Sequence, residues 1–138
     1  MFEAQLRDVP FFNQLSKREL AMVAQQTDEV DIEAGSVLAR EGDFGHEFFV
    51  IIDGTAEVLR GDEVIAELGP GEFFGEMALL DEERRMATVK AISAMRVLVM
   101  TRTSFRGMDR TMPQVHAAVS EAIEKRRAAA AEQPAPAA

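Results

Sequence analysis

The residues with the most chemistry to offer in this chain lie in FGEMALLDEERRMATV, residues 74–89. A Gly-Glu pair opens a short apolar run, three acids follow, and two adjacent arginines, Arg84 and Arg85, stand directly before a strand-like ATV. A guanidinium is planar, permanently charged and able to donate two parallel hydrogen bonds to phosphate oxygens, so it suits a partly desolvated anion better than an ammonium does. A carboxylate such as that of Glu76 accepts from a hydroxyl and can also orient an arginine. Arginines set against sequence that reads as core therefore predict that one of them meets an anion inside the fold.

Other chemistries find little support. Zero cysteines exclude disulfide frameworks, thiol catalysis and cysteine metal sites, and they fit a reducing compartment. The two histidines, His46 and His116, form no ligand cluster in the sequence, so no metal and no cofactor is expected. Asp81, Glu82 and Glu83 read as a solvated loop rather than a carboxylate pair for catalysis. Ser104 and Thr88 have no histidine placed to activate them, and no enzymatic activity is expected. A net charge of −9 repels nucleic acid and anionic membranes, and the only basic cluster is the short KRR at 125–127. No stretch has the pattern of a signal peptide or the length of a membrane span, which predicts a cytoplasmic protein.

These residues must be positioned by a fold of one domain's size, 138 residues with 47% hydrophobic content. Leu15, Leu20, Val23 and Ala24 share one helical face, with Ser16 as N-cap and Glu19 completing a capping box. The middle of the chain then changes period to short Val, Ile and Phe runs cut by glycines at 35, 42, 45, 54, 61, 69 and 71. Gly61-Asp62 reads as a tight hairpin loop whose residues tolerate positive φ. The run from Val97 to Met100 is nearly continuous in apolar side chains and should be buried on both faces. Phe48, Phe49, Phe73 and Phe74 are expected in the core. Thr103 or Ser104 should cap a helical turn, and Pro113 suits the first turn of a last helix carrying Val115, Val119, Ala122 and Ile123. That apolar face fits either the chain's own core or a second copy. The basic KRR should answer the macrodipole at the C-terminal end of that helix. The expected domain is 1–127, followed by an Ala/Pro tail, 128–138, of frayed helix passing into disorder. An α element, many short strands between about Glu29 and Thr101, and closing helices predict an antiparallel β-roll or jelly roll with flanking helices.

With those elements in order, EGDFGHEFFVIIDGTAEV followed by LGPGEFFGEMALLDEERRMATVKA resembles the cyclic nucleotide-binding domain found in protein kinase A regulatory subunits, catabolite activator proteins and cyclic nucleotide-gated channels. The likeness extends to PFFNQLSKREL, which looks like the leading helix of that family. It implies a phosphate-binding cassette at residues 74–88, in which a short helix points its N-terminus at a cyclic phosphate. The ligand-site residues it implies are Phe74, Gly75, Glu76, Met77, Ala78, Leu79, Arg85, Met86, Ala87 and Thr88. Among them Gly75 allows close backbone approach, and Glu76 accepts from the ribose 2′-hydroxyl. Ala78 donates its N–H to phosphate, Arg85 pairs with the phosphate itself, and Thr88 supports the site.

Departures from the family pattern shape the functional expectation. Arg84 stands where the family has proline and reads as a solvated residue answering the nearby acids. Met86 stands where a small residue or threonine is usual; without that hydroxyl the resemblance favours cAMP over cGMP. His46 stands where relatives often carry aspartate. The resemblance thus implies a sensor that binds a cyclic nucleotide and moves its terminal helices, signalling to a protein effector or a second copy. The alternative is a degenerate fold, an interaction scaffold in which Met86 fills the site. A transcription factor of the catabolite activator type would need a further DNA-binding domain.

Overall fold

The computed structural model describes residues 2–132, with side chains described through residue 129. Two helices precede the strands: α1 at Glu3–Arg7 and α2 at Lys17–Ala24, separated by a 3-10 turn at Pro10–Phe12. The Ser16 hydroxyl accepts from the Glu19 N–H at 3.1 Å while the Glu19 carboxylate accepts from the Ser16 N–H at 2.8 Å, which is the expected capping box. Helix α1 was not foreseen, because five residues are too few to establish a period.

Eight antiparallel strands follow: β1 (Asp28–Ile32), β2 (Val37–Ala39), β3 (Glu47–Asp53), β4 (Ala56–Arg60), β5 (Glu63–Leu68), β6 (Phe73–Phe74), β7 (Thr88–Ala91) and β8 (Met95–Thr101). They form two four-stranded sheets, ordered β1-β8-β3-β6 and β2-β7-β4-β5. The Gly61-Asp62 loop joins β4 to β5 with Arg60 opposite Glu63, but only Gly61 takes a positive φ, +62°. That is the arrangement in which glycine at the first loop position alone carries the reversal.

Strands β3 and β8 divide the core. Phe48, Val50, Leu98 and Met100 face the helices, where they meet Phe12, Leu20, Phe105 and Ile123. Their neighbours Phe49, Ile51, Met95 and Val97 face the second sheet and pack with Val58, Val89 and Ala91. The period-2 alternation of a strand thus serves two apolar clusters at once, which is why these strands read as unbroken apolar runs.

Two helices close the chain, α3 at Arg102–Thr111 and α4 at Pro113–Glu132. The cap of α3 is Thr101, whose hydroxyl accepts from the Ser104 N–H at 3.1 Å, rather than Thr103 or Ser104. Thr101 ends β8 in extended geometry, so the strand delivers the cap directly to the helix. Val115, Val119 and Ile123 are buried against the chain's own core. Helix α4 continues through the alanines to Glu132, five residues into the expected tail, as their helix propensity allows. The remainder of that tail, 133–138, lies outside the described residues.

Gly54, in the turn from β3 to β4, has φ +89°, and a Cβ there would stand 2.8 Å from the Met95 Cα. Backbone on the neighbouring strand cannot yield as a flexible side chain can. Gly54→Ala is therefore expected to lower stability by about 1–3 kcal/mol or more, read as a reduced urea midpoint at unchanged m-value.

Candidate functional site

Arg85 is the centre of the site, and backbone pairing puts it there. The Arg85 N–H donates to the Asp43 carbonyl at 2.7 Å, the Gly42 N–H to the Arg85 carbonyl at 2.9 Å, and the Gly45 N–H to the Glu83 carbonyl at 3.0 Å. Residues 42–45 and 83–85 are thereby zipped into a short antiparallel bridge, with Phe44 opposite Arg84. Alternation along this extended segment sends consecutive side chains to opposite sides. Arg84 goes outward, donating through Nη1 to the Gly42 carbonyl at 2.7 Å and lying 4.4 Å above the Phe44 ring. Arg85 goes inward and is only 8% exposed.

Two glycines make room for it. A Cβ on Gly75 would lie 2.5 Å from Arg85 Nη1 and 2.8 Å from the Glu47 carbonyl oxygen; a Cβ on Gly45 would lie 2.5 Å from Arg85 Cζ. Gly75 also carries φ +84°, a conformation that suits glycine and that turns the chain from β6 into the next turn. Between them the guanidinium donates through Nη2 to the Glu47 carbonyl at 2.7 Å. Among the described residues no carboxylate pairs with it directly. Burial pushes its pKa below the ordinary value, while the charges of Glu47 and Glu76 pull the other way. Arginine keeps its proton under any such shift, so a buried cation stands here with one neutral acceptor. A cavity of about 210 Å³ opens onto it, walled in part by Ala39, Arg40, Asp43, Phe44 and Glu47.

The remaining site residues of the sequence gather around this cation or support it. Phe74 is buried between the sheets, stacked on Phe49 with centroids 4.7 Å apart. Residues Glu76–Leu79 form a 3-10 turn rather than an α-helix, with Glu76, Ala78 and Leu79 buried and Met77 half-buried. The Ala78 N–H donates to the Gly75 carbonyl at 3.1 Å, so the tight turn uses the donor expected to face phosphate. Ala87 is fully buried. The Thr88 hydroxyl accepts from the Glu41 N–H at 3.0 Å, tying the strand after the site to the segment before it. Met86 is 65% exposed.

Glu76 and Arg85 do not form the ion pair that their types suggested. Glu76, 7% exposed, instead accepts from Arg126 Nε of α4 at 3.4 Å, and that guanidinium lies 5.0 Å above the Phe73 ring. Its neighbour Arg127 reaches Asp81 at 3.2 Å, Glu83 at 3.0 Å and Glu124 at 3.4 Å. The Glu83 contact is an ion pair lying off the N–H axis, since Arg127 Nη2 makes no hydrogen bond. Burial works against the charge of Arg127, but the Asp81 hydrogen bond and the surrounding carboxylates raise its pKa on balance. Arg126 and Arg127 of the KRR cluster therefore bind the loop 76–83, while Lys125 pairs with Glu121 one turn earlier on its own helix at 3.4 Å.

A further arginine was also missed. Arg102, at the start of α3 and 9% exposed, donates through Nη2 to the Gly45 carbonyl at 2.9 Å. The same nitrogen lies 2.8 Å from His46 Nδ1, and the Arg102 N–H donates to the His46 carbonyl at 2.9 Å. An arginine gives only donors, so His46 Nδ1 serves as the acceptor and its proton sits on Nε2. His46 occupies a loop, as expected, and there it links α3 to the glycine that flanks Arg85. His116 stacks on Phe105 at 4.6 Å. Among the described residues no group of His, Cys, Asp or Glu could hold a metal ion, and no helix is long and apolar enough to cross a membrane.

Two four-stranded antiparallel sheets flanked by helices thus form a β-roll that carries a buried arginine beside a glycine-led turn. The profile of the Cyclic nucleotide-binding domain family matches residues 29–111, and the chain belongs to that family. It is 36% identical over 106 residues to the cAMP-dependent protein kinase regulatory subunit of Schizosaccharomyces pombe, an alignment covering 76% of this chain and 26% of the relative. The N-terminal domain of a transcriptional regulator from Streptomyces coelicolor A3(2) superposes with a TM-score of 0.83 at 26% identity, covering 95% of both chains. The regulatory domain of Toxoplasma gondii PKA, crystallised with cAMP, superposes with a TM-score of 0.69 at 35% identity, over 77% of this chain and 42% of that one. The chain spans about a quarter of the curated kinase subunit it matches.

The seat of Arg85 can be tested without any ligand. Gly45 has no positive φ, and the nearest atoms to an alanine Cβ there are those of the Arg85 side chain. Gly45→Ala should destabilise the protein by about 1–3 kcal/mol, and most of that loss should vanish when Arg85→Ala is already present. A double-mutant cycle from urea denaturation measures the coupling, and additive losses would show that the two side chains do not compete for one space.

Proposed function

We propose that this chain is a cyclic nucleotide sensor that takes up cAMP with Arg85 on its cyclic phosphate and Glu76 on its ribose 2′-hydroxyl. The observation that carries the reading is Arg85: a buried guanidinium with a single neutral acceptor, seated between two glycines at the mouth of a cavity. A structural arginine is usually paired; this one keeps donors beyond the single bond to the Glu47 carbonyl and lines a cavity, which suits an anion. Its setting in a cyclic nucleotide-binding domain makes the anion a cyclic phosphate, and the similarity to a PKA domain crystallised with cAMP favours that nucleotide. Met86 brings no hydroxyl to a guanine base, which supports the same preference over cGMP.

Both closing helices touch the site, α3 through Arg102 on Gly45 and α4 through Arg126 on Glu76. An anion that tightens around Arg85 therefore acts on both contacts. A ligand shifts a conformational balance by the difference in its contacts with the two states. These two arginines are where such a difference would arise.

Isothermal titration with cAMP and cGMP tests the assignment. Removing a charge-assisted contact to a buried phosphate costs on the order of 2–5 kcal/mol, whereas removing an exposed charge costs below about 1. Arg85→Ala should accordingly abolish measurable cAMP binding while Arg84→Ala leaves it nearly intact, both variants first being shown folded by their thermal transitions. Equal losses in two folded variants would refute the role given to Arg85. The parent protein is also expected to prefer cAMP to cGMP; equal or reversed affinities would show that a residue other than Met86 sets the choice.

A further inference from the structure

Phe44 keeps 46% of its surface exposed in a chain that buries most of its phenylalanines, and the Arg84 guanidinium lies 4.4 Å above its ring. Charge alone would send Arg84 to the acids beside it, but Asp81 and Glu83 are taken by Arg127. Among the described residues Arg84 makes no ion pair, and its Nη1 donates to the Gly42 carbonyl at 2.7 Å. The ring and the carbonyl that Arg84 holds both belong to the segment 42–45, with Phe44 and Arg84 opposite each other in the bridge that turns Arg85 inward. Resting on the cAMP reading above, we infer that Phe44 and Arg84 are positioning residues: their contact clasps the bridge from outside and holds Arg85 where it meets the cyclic phosphate.

The bridge needs such a clasp because it is short. Three backbone hydrogen bonds join 42–45 to 83–85, and both segments lie in connections between strands rather than in a sheet. An isolated strand pair of that length is marginal in water. Arg85 in turn has no carboxylate partner to fix it among the described residues and takes its aim from this backbone. A cation over an aromatic ring at an exposed position shifts an equilibrium by roughly two- to fivefold, and the hydrogen bond to Gly42 adds to it. Without the clasp the segment divides its time between the bridged arrangement and open ones, and apparent affinity falls with the bridged fraction. The loss stays within the limit set above for removing an exposed charge, so Arg84 shapes binding without touching the ligand.

The test is a double-mutant cycle of Phe44→Ala and Arg84→Ala, read by amide exchange at Gly42, Gly45 and Arg85, the donors of the bridge, and by isothermal titration with cAMP. Each single substitution is expected to speed exchange at those amides by roughly two- to fivefold, with the amides of β8 unchanged, and to weaken cAMP binding by roughly two- to fourfold. The double variant should match Arg84→Ala, since Phe44 then has nothing left to hold, and Phe44→Tyr, which keeps the ring, should behave as the parent. Losses that multiply in the double variant would overturn the inference, as would acceleration shared by β8. A loss at Phe44→Ala much larger than at Arg84→Ala would also overturn it, by making Phe44 a ligand contact in the cavity it lines. Faster exchange at unchanged cAMP affinity would leave the clasp a purely structural role and sink the positioning one. If the parent chain binds no cAMP, the cAMP reading fails and the positioning role with it, whereas the exchange cycle fails only when the clasp itself is absent.

Discussion

A largely buried cation at the edge of an open cavity is the constraint around which this domain is organised. Taking a guanidinium out of water costs several kcal/mol unless donors find acceptors, and Arg85 has one neutral carbonyl among the described residues. The fold meets that cost by confinement rather than by pairing. Residues 42–45 are hydrogen-bonded along 83–85, two glycines clear a slot, and the carboxylates of Glu47 and Glu76 lend charge from a distance. Each device depends on another part of the chain: β3 supplies the Glu47 carbonyl, β6 delivers Gly75, and β7 starts three residues after the arginine, at Thr88. The sheets are thus a frame that holds one unbalanced charge.

Arginines form the next layer of organisation. Arg102 grips the Gly45 carbonyl from α3 and Arg126 grips Glu76 from α4, while Arg127 spans Asp81 and Glu83. In a chain with net charge −9 these few cations carry weight, since each faces an acceptor in the segment that surrounds Arg85. The acids of 81–83, which in isolation resemble any solvated loop, gain a counterpart only when α4 folds back across the molecule.

Local chemistry made part of this legible in the sequence. The Ser16 and Glu19 capping box depends on residues three apart, the β4–β5 loop on Gly61 and its neighbour, and the opposite fates of Arg84 and Arg85 on the pleat of a single extended segment. Gly75 and Glu76 stood out through the motif they begin. What stayed hidden was set by contacts across the chain. Arg102, Arg126 and Arg127 sit on helices whose sequence looks the same whether an arginine faces water or a carboxylate fifty residues away. The pairing expected between Glu76 and Arg85 failed for the same reason: residue types named suitable partners, and the fold brought a better-placed guanidinium from α4.

The junction between the last two helices sets where α4 lies relative to Glu76. Met112 leaves helical geometry, with φ −143° and ψ 64°, and Pro113 follows with no N–H to lose. The His116 N–H still donates to the Met112 carbonyl at 2.9 Å across this point, and Val115, Val119 and Ile123 anchor α4 in the core, so a turn of the helix here is resisted by packing more than by the backbone of Pro113. Arg126 sits 13 residues beyond Pro113, about 20 Å along the helix axis, and a swing of roughly 10° would carry it about 3 Å. That displacement is enough to take a guanidinium out of reach of a carboxylate. A small change of angle at one proline would thus be magnified along the helix to the contact of Arg126 with Glu76.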